Sequence, residues 1–196
     1  MAKGGDTRAT VLAAALSLAS EVGLAGLTIG RLAERVGMSK SGLFAHFGSK
    51  EELDLAVVDE AVRRFIEVVV APALREPRGA PRVEALFERW LAWSKADFLP
   101  GGCIFLAAAI ELDDQPGPVR DRLVASQRDW LGTIAEAARI AVTEGHFRRS
   151  LDAGLFAQEV YSVACGHHFV SRLLCDPKAE ARTKRSYARL LADAKA

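Results

Sequence analysis

The residues that most constrain this chain run from Thr28 to Phe47, Thr-Ile-Gly-Arg-Leu-Ala-Glu-Arg-Val-Gly-Met-Ser-Lys-Ser-Gly-Leu-Phe-Ala-His-Phe. Their pattern predicts two short helices pinned by a tight turn, a helix-turn-helix, the element that lays its second helix in the major groove of DNA. Thr28 can cap the first helix and Ser39 the second, each side chain meeting backbone N–H groups that lack an intrahelical partner. Leu32, Val36, Met38, Leu43 and Phe47 then form the buried faces. Ala33 is small where the helices cross, and Gly37 can take the left-handed conformation at the end of the first helix. The first turn of the second helix is the part that enters the groove, which makes Lys40, Ser41 and Gly42 base-edge candidates, with Ala45 and His46 one turn on. A lysine donates to guanine O6 and N7 and a serine reaches either class of base, while a phosphate contact is the other reading of Lys40. Gly42 has no side chain to read a base. Its functional reading is a close backbone approach to DNA, its bland one a local helix weakening of up to about 1 kcal/mol.

The segment resembles the DNA-binding domain of the tetracycline-repressor (TetR) family of bacterial transcription regulators, and the likeness continues through Phe47-Gly48-Ser49-Lys50-Glu51-Glu52-Leu53. It runs from the chain's start to roughly Glu60; beyond that only length and helical layout are shared. Thr28 and Lys50 match family positions that clamp DNA phosphates; a helix cap and a surface charge also explain them, but their common location beside the recognition helix favours the clamp. Phe44 stands where the family commonly has a tyrosine whose hydroxyl meets a phosphate, so that contact is expected to be missing. Phe44 and Phe47 then read as core, with Phe44 also able to rest against the sugar-phosphate backbone. His46 sits where the family's histidine contacts the DNA backbone, and half-buried packing suits it as well. The DNA-binding candidates are therefore Thr28, Ser39, Lys40, Ser41, Gly42, Phe44, His46 and Lys50.

Charge supports this end of the chain. The net charge of the 196 residues is only +1. Yet residues 1–50 hold six Lys and Arg against three acids, whereas residues 51–60 hold five acids and no base. The hydrophobic share is 50%, and mean hydropathy lies just above zero, more apolar surface than one subunit is expected to bury. Three cysteines, Cys103, Cys165 and Cys175, show no metal-ligand spacing and point to reduced thiols in a cytosol. The start lacks the apolar stretch of a secretory signal, and no apolar run is read as approaching the roughly 20 residues of a membrane span. The expected location is cytoplasmic, with no membrane partner.

The pattern along the chain predicts an all-α protein of about nine helices: a helix-turn-helix domain over 1–48 and a helical effector-binding and dimerisation domain over 49–196. Asp6 can cap a first helix running to about Val22. Ser49 and Glu52 form a capping box before a long helix with Leu53, Val57, Ala61, Phe65 and Val68 on one stripe, ending near Pro72. Pro81 opens a helix carrying Val83, Leu86, Phe87, Trp90 and Leu91, broken by Pro100-Gly101-Gly102. Cys103 to Leu112 reads as a helix apolar nearly all round, hence buried. Helices follow at about 118–144, at about 153–175 capped by Asp152, and at about 178–194.

Two of these, 118–144 and 153–175, are the expected pairing surface of a homodimer, with small residues at Ala135, Ala138, Ala164 and Gly166; packing only inside one subunit is the plain alternative. Phe65, Phe87, Trp90, Cys103, Phe105, Trp130, Phe156 and Phe169 are candidates for an aromatic cavity, or simply core. By resemblance this domain takes a small, largely apolar effector that releases a repressor from an inverted-repeat operator in double-stranded DNA. The alternative is a DNA-binding protein whose large domain only dimerises. Cys165 and His168, at i and i+3, could share an ion, but no third ligand stands in range, and no metal or other cofactor is expected. Nothing supports an enzyme: there is no Glu-x-x-His pair, Gly-x-Ser-x-Gly elbow or phosphate-binding glycine loop.

Overall fold

The computed structural model describes residues 2–196, with side chains from Thr7 onward. Nine helices account for it among the described residues: α1 (Ala2–Gly26), α2 (Ile29–Val36), α3 (Lys40–Phe47), α4 (Lys50–Phe65), α5 (Ala80–Trp93), α6 (Ile104–Leu112), α7 (Pro118–Thr143), α8 (Ala153–His168) and α9 (Ala179–Ala194). α4 continues through a π-helical stretch, Ile66–Val70, and a last turn, Ala71–Ala73, and α8 through a second π-helical stretch, Phe169–Leu173. They pack as two compact units. One comprises residues up to Arg64 with Lys95–Ala125; the other comprises Phe65–Ser94 with Ser126–Ala196.

In the first unit α1 packs against α2 and α6, and it buries Val11, Ala15, Leu16, Leu18 and Ala19. It begins at Ala2, ahead of the expected cap; the Asp6 side chain lies outside the described residues. The helix breaks at Gly23, whose φ of 75° and ψ of 171° leave the helical region, and resumes for one turn to Gly26. Contrary to the sequence reading, Thr7–Gly26 is long and apolar enough by length and composition to cross a membrane. The loop after α5 presses on this helix. Gly101 N–H donates to Ser20 Oγ at 3.1 Å, and a Cβ at Gly101 would lie 1.5 Å from the Ser20 carbonyl oxygen. Glycine is required there by space.

Three local expectations shift. α5 stops at Trp93 rather than at Pro100, because Ser94 turns back on the last turn: its N–H meets Trp90 O at 3.0 Å and its hydroxyl donates to Leu91 O at 2.7 Å. α6 buries Ile104, Phe105, Leu106 and Ala108, but Ile110 is 76% exposed. The α4 stripe of Leu53, Val57, Ala61 and Phe65 passes to Val69, not Val68, which is 40% exposed. A spacing of four residues drifts on a 3.6-residue helix, and the π turn absorbs the drift. Pro72 supplies the local cause, since it has no N–H for the carbonyl four residues back.

The second unit is organised by aromatic contacts. Phe87 stacks on Tyr187 with ring centroids 3.6 Å apart and planes within 6°. Tyr187 donates to Val83 O at 3.0 Å, and burial pushes its hydroxyl far above the ordinary tyrosine range. Phe65 meets Trp93 and Trp130 edge-on, at 5.2 Å and 4.9 Å. α8 packs against α9, joined by His167 Nδ1 and Thr183 Oγ1 at 3.0 Å. The Thr183 hydroxyl already donates to Ala179 O at 2.8 Å, so the proton of the His167 contact sits on Nδ1.

Two glycines separate the costs of backbone strain and of collision. Gly37, at φ 66° with open space where a Cβ would go, should lose about 1 kcal/mol on replacement by alanine, the left-handed strain alone. Gly101→Ala should lose several times more. Urea midpoints of the two variants, compared at unchanged m-value, check the ordering.

Candidate nucleic-acid interface

The helix-turn-helix forms as its capping residues dictate. Thr28 Oγ1 accepts from Arg31 N–H at 3.2 Å and Ser39 Oγ from Gly42 N–H at 3.1 Å. Between them Gly37 is left-handed, its N–H returning to Ala33 O. Leu32, Ala33, Leu43 and Phe47 are buried, while Val36 and Met38 are only half-buried. The Arg8 guanidinium of α1 lies over the Phe47 ring, 5.3 Å from its centroid. With Leu43 and Phe47 turned inward, Lys40, Ser41, Phe44 and Ala45 share the exposed face of α3.

Phe44 is 56% exposed, which corrects the core reading of it. Periodicity decides this: Phe47 lies one turn past Leu43 on the inward face, and Phe44 one turn past Lys40 on the outward one. His46 and Gly42 are half-buried. A Cβ on Gly42 would come within 3.1 Å of Ser39 Oγ, so the glycine also keeps room for the cap. The sequence reading missed Gly30. A Cβ there would lie 3.4 Å from Lys40 Cε, an ordinary van der Waals contact, so the Lys40 stem runs past the start of α2 close to Gly30.

Lys50 is the residue the structure presents most differently. Its ammonium donates to Leu24 O at 2.9 Å and pairs with Asp54, four residues on along α4. Burial raises the Asp54 carboxyl above the ordinary aspartate range, with the Lys50 contact working against it. Of the capping box only one arm forms: Glu52 N–H donates to Ser49 Oγ at 3.0 Å, while Ser49 N–H goes to Phe47 O at 2.7 Å.

The cavity candidates divide between the units. Phe65, Phe87, Trp90, Trp130 and Phe156 are buried and belong to the second unit, whereas Cys103 and Phe105, also buried, belong to the first. Phe65 touches Trp130, Phe87 approaches Trp90 at 6.1 Å, and Phe156 packs on Phe147. Phe169 is 53% exposed on the π turn after α8. Cys165 is exposed and His167 is engaged by Thr183.

Known proteins match both parts of the chain. Residues 11–57 match the family described as bacterial regulatory proteins, tetR family. Residues 79–187 match the family described as tetracyclin repressor-like, C-terminal domain. A TetR transcriptional regulator from Chloroflexus aurantiacus has a structure with TM-score 0.86 at 28% identity, covering 98% of this chain and 96% of that one. The chain belongs to the tetracycline-repressor family, whose members are transcriptional regulators and not enzymes. Among particular relatives, the HTH-type transcriptional repressor AcnR of Corynebacterium glutamicum is 39% identical over 71 residues, 36% of this chain and 38% of AcnR. That match spans little more than a third of the relative's own length. AibR, in a structure titled as a complex with isovaleryl coenzyme A and operator DNA, shares the fold with TM-score 0.69 at 21% identity over 83% of this chain and 84% of that one.

Ser39 holds the first turn of α3 in place, so its cap should be measurable by itself. Ser39→Ala should destabilise the protein by about 1 kcal/mol and Ser39→Gly by only a few tenths, read as shifts in the urea midpoint.

Proposed function

We propose that this chain is a repressor that binds an inverted-repeat operator in double-stranded DNA as a homodimer and is released by a small, largely apolar effector. The observation that carries it is the outward face of α3: Lys40, Ser41, Phe44 and Ala45 are exposed together above buried Leu43 and Phe47. Lys40 and Ser41 carry direct base readout; Gly42 allows the backbone to approach; Thr28 and His46 meet the phosphate backbone. Phe44, without a hydroxyl, contributes only apolar contact. Lys50 clamps a phosphate with its remaining N–H while its other donors stay on Leu24 O and Asp54. The DNA-binding domain is assigned to residues 1–48 and the effector and dimerisation domain to 49–196, where Phe65, Trp130, Phe87, Trp90 and Phe156 supply apolar lining. Cytoplasmic location follows from the role. AibR, whose structure is titled with both an acyl coenzyme A and operator DNA, supports the pairing of the two ligand types on this fold.

The pairing face needs one change. α7 directs its small residues Ala135 and Ala138 into its own subunit and leaves Asp121, Arg128, Asp129, Glu136 and Arg139 outward. α8 and its π turn instead expose Leu155, Phe169 and Leu173, at 53%, 53% and 69%, with open space over Gly166. On this reading α8 supplies the apolar part of the seam.

Selection of duplexes from random DNA should return a palindrome, because a two-fold dimer presents one recognition helix to each half-site. Lys40→Ala should relax preference at one base position; enrichment of direct repeats alone, or of nothing, would refute the assignment. Sedimentation tests the seam: Phe169→Glu with Leu173→Glu should yield monomer, and a dimer of unchanged stability would place the seam elsewhere.

A further inference from the structure

One peptide group in the turn after the α1 break is held from both ends by other helices. The N–H of Ala25 donates to Glu111 Oε2 of α6 at 3.0 Å, across 86 positions of sequence. The carbonyl of Leu24, the other end of the same peptide, accepts from Lys50 Nζ of α4 at 2.9 Å. Lys50 is balanced in turn by Asp54. The peptide dipole thus lies between a carboxylate at its N–H end and an ammonium at its C=O end, so both bonds are charge-assisted and polarise each other.

The break itself is built for this. Gly23 takes a φ of 75°, and a Cβ on it would stand 1.8 Å from Glu111 Oε1. Glycine therefore permits the backbone turn and leaves room for the carboxylate. Breaking α1 removes the ordinary intrahelical acceptor from the N–H groups that follow, and Glu111 replaces one of them. The pinned turn leads directly into α2: Leu27 N–H returns to Gly23 O at 3.2 Å, Thr28 caps α2, and Arg31 Nη1 donates to Gly26 O at 3.2 Å. The Leu24–Ala25 peptide thus lies at the link between α1 and α2, where α4 and α6 both reach it.

We propose that Glu111 is a positioning residue for DNA binding, through which α6 fixes the orientation of the helix-turn-helix. This assignment rests on the reading of the chain as an operator-binding regulator. Lys50 acts from the opposite side of the same peptide, which joins its place at the DNA end of α4 to the hinge of α1.

The test uses the full chain, the operator duplex returned by selection and a scrambled duplex of equal length. Glu111→Ala should weaken operator binding by about ten- to a hundred-fold, the size of one charge-assisted hydrogen bond. Binding to the scrambled duplex, carried by phosphates, should change by less than about two-fold. Glu111→Gln keeps an oxygen to accept from Ala25 and should recover operator affinity to within about three-fold. Without DNA, the Ala25 amide should lose hydrogen-exchange protection in Glu111→Ala and regain it in Glu111→Gln. Equal loss on both duplexes without recovery by glutamine would mark Glu111 as merely structural and overturn the proposal, as would wild-type Ala25 protection in Glu111→Ala. If wild type itself fails to distinguish the two duplexes while Ala25 behaves as stated, the regulator reading fails and the role of Glu111 in DNA binding falls with it.

Discussion

The N-terminal unit depends on the burial of α1. Its Val11, Ala15, Leu16, Leu18 and Ala19 are removed from water, and both α2 and α6 pack against it. Burial of apolar surface at roughly 25 cal/mol per Å² makes such a helix the one element that its neighbours cannot leave without large loss. The alanines and Gly101 add close approach, bringing backbone against backbone at Ser20. The same apolar continuity gives Thr7–Gly26 the composition of a membrane span. A helix covered on several sides and a helix in lipid meet the same demand, to present no unpaired polar group.

From that base the DNA-facing helices are held by a chain of small devices. Gly23 breaks α1, Glu111 and Lys50 hold the broken turn, Thr28 starts α2, Gly37 turns the chain and Ser39 starts α3. The glycines supply the backbone turns, and the side chains satisfy backbone groups left without a partner where a helix ends. None is large alone. Together they leave α3 with Leu43 and Phe47 buried beneath and Lys40, Ser41, Phe44 and Ala45 exposed above, the arrangement a reader of the major groove requires.

In the second unit the two π turns adjust helices to their surroundings. After α4 the wider turn keeps Val69 in line with Phe65. After α8 it leaves Phe169 and Leu173 outward, extending the exposed apolar surface that begins at Leu155. Tyr187, stacked on Phe87 and bonded to Val83 O, ties α9 to α5. It belongs to a predominantly polar helix and gave no signal in the sequence.

What the sequence alone determined is local. Caps, the left-handed glycine, and the inward position of Leu32, Leu43 and Phe47 follow from the chemistry of neighbouring residues, so the helix-turn-helix was legible residue by residue. Tertiary contact decided the rest. Phe44 is the exception, since helical periodicity alone sets it on the outward face of α3, one turn past Lys40. Lys50 proved to be tied to Leu24 and Asp54 because its partners come from a fold, not from a motif. The small residues of α7 turned inward because helix packing, which sequence spacing does not encode, chose that face. Glu111 shows the limit most directly: its partner is 86 positions away, and no local pattern can announce a hydrogen bond that exists only after α6 has packed on α1.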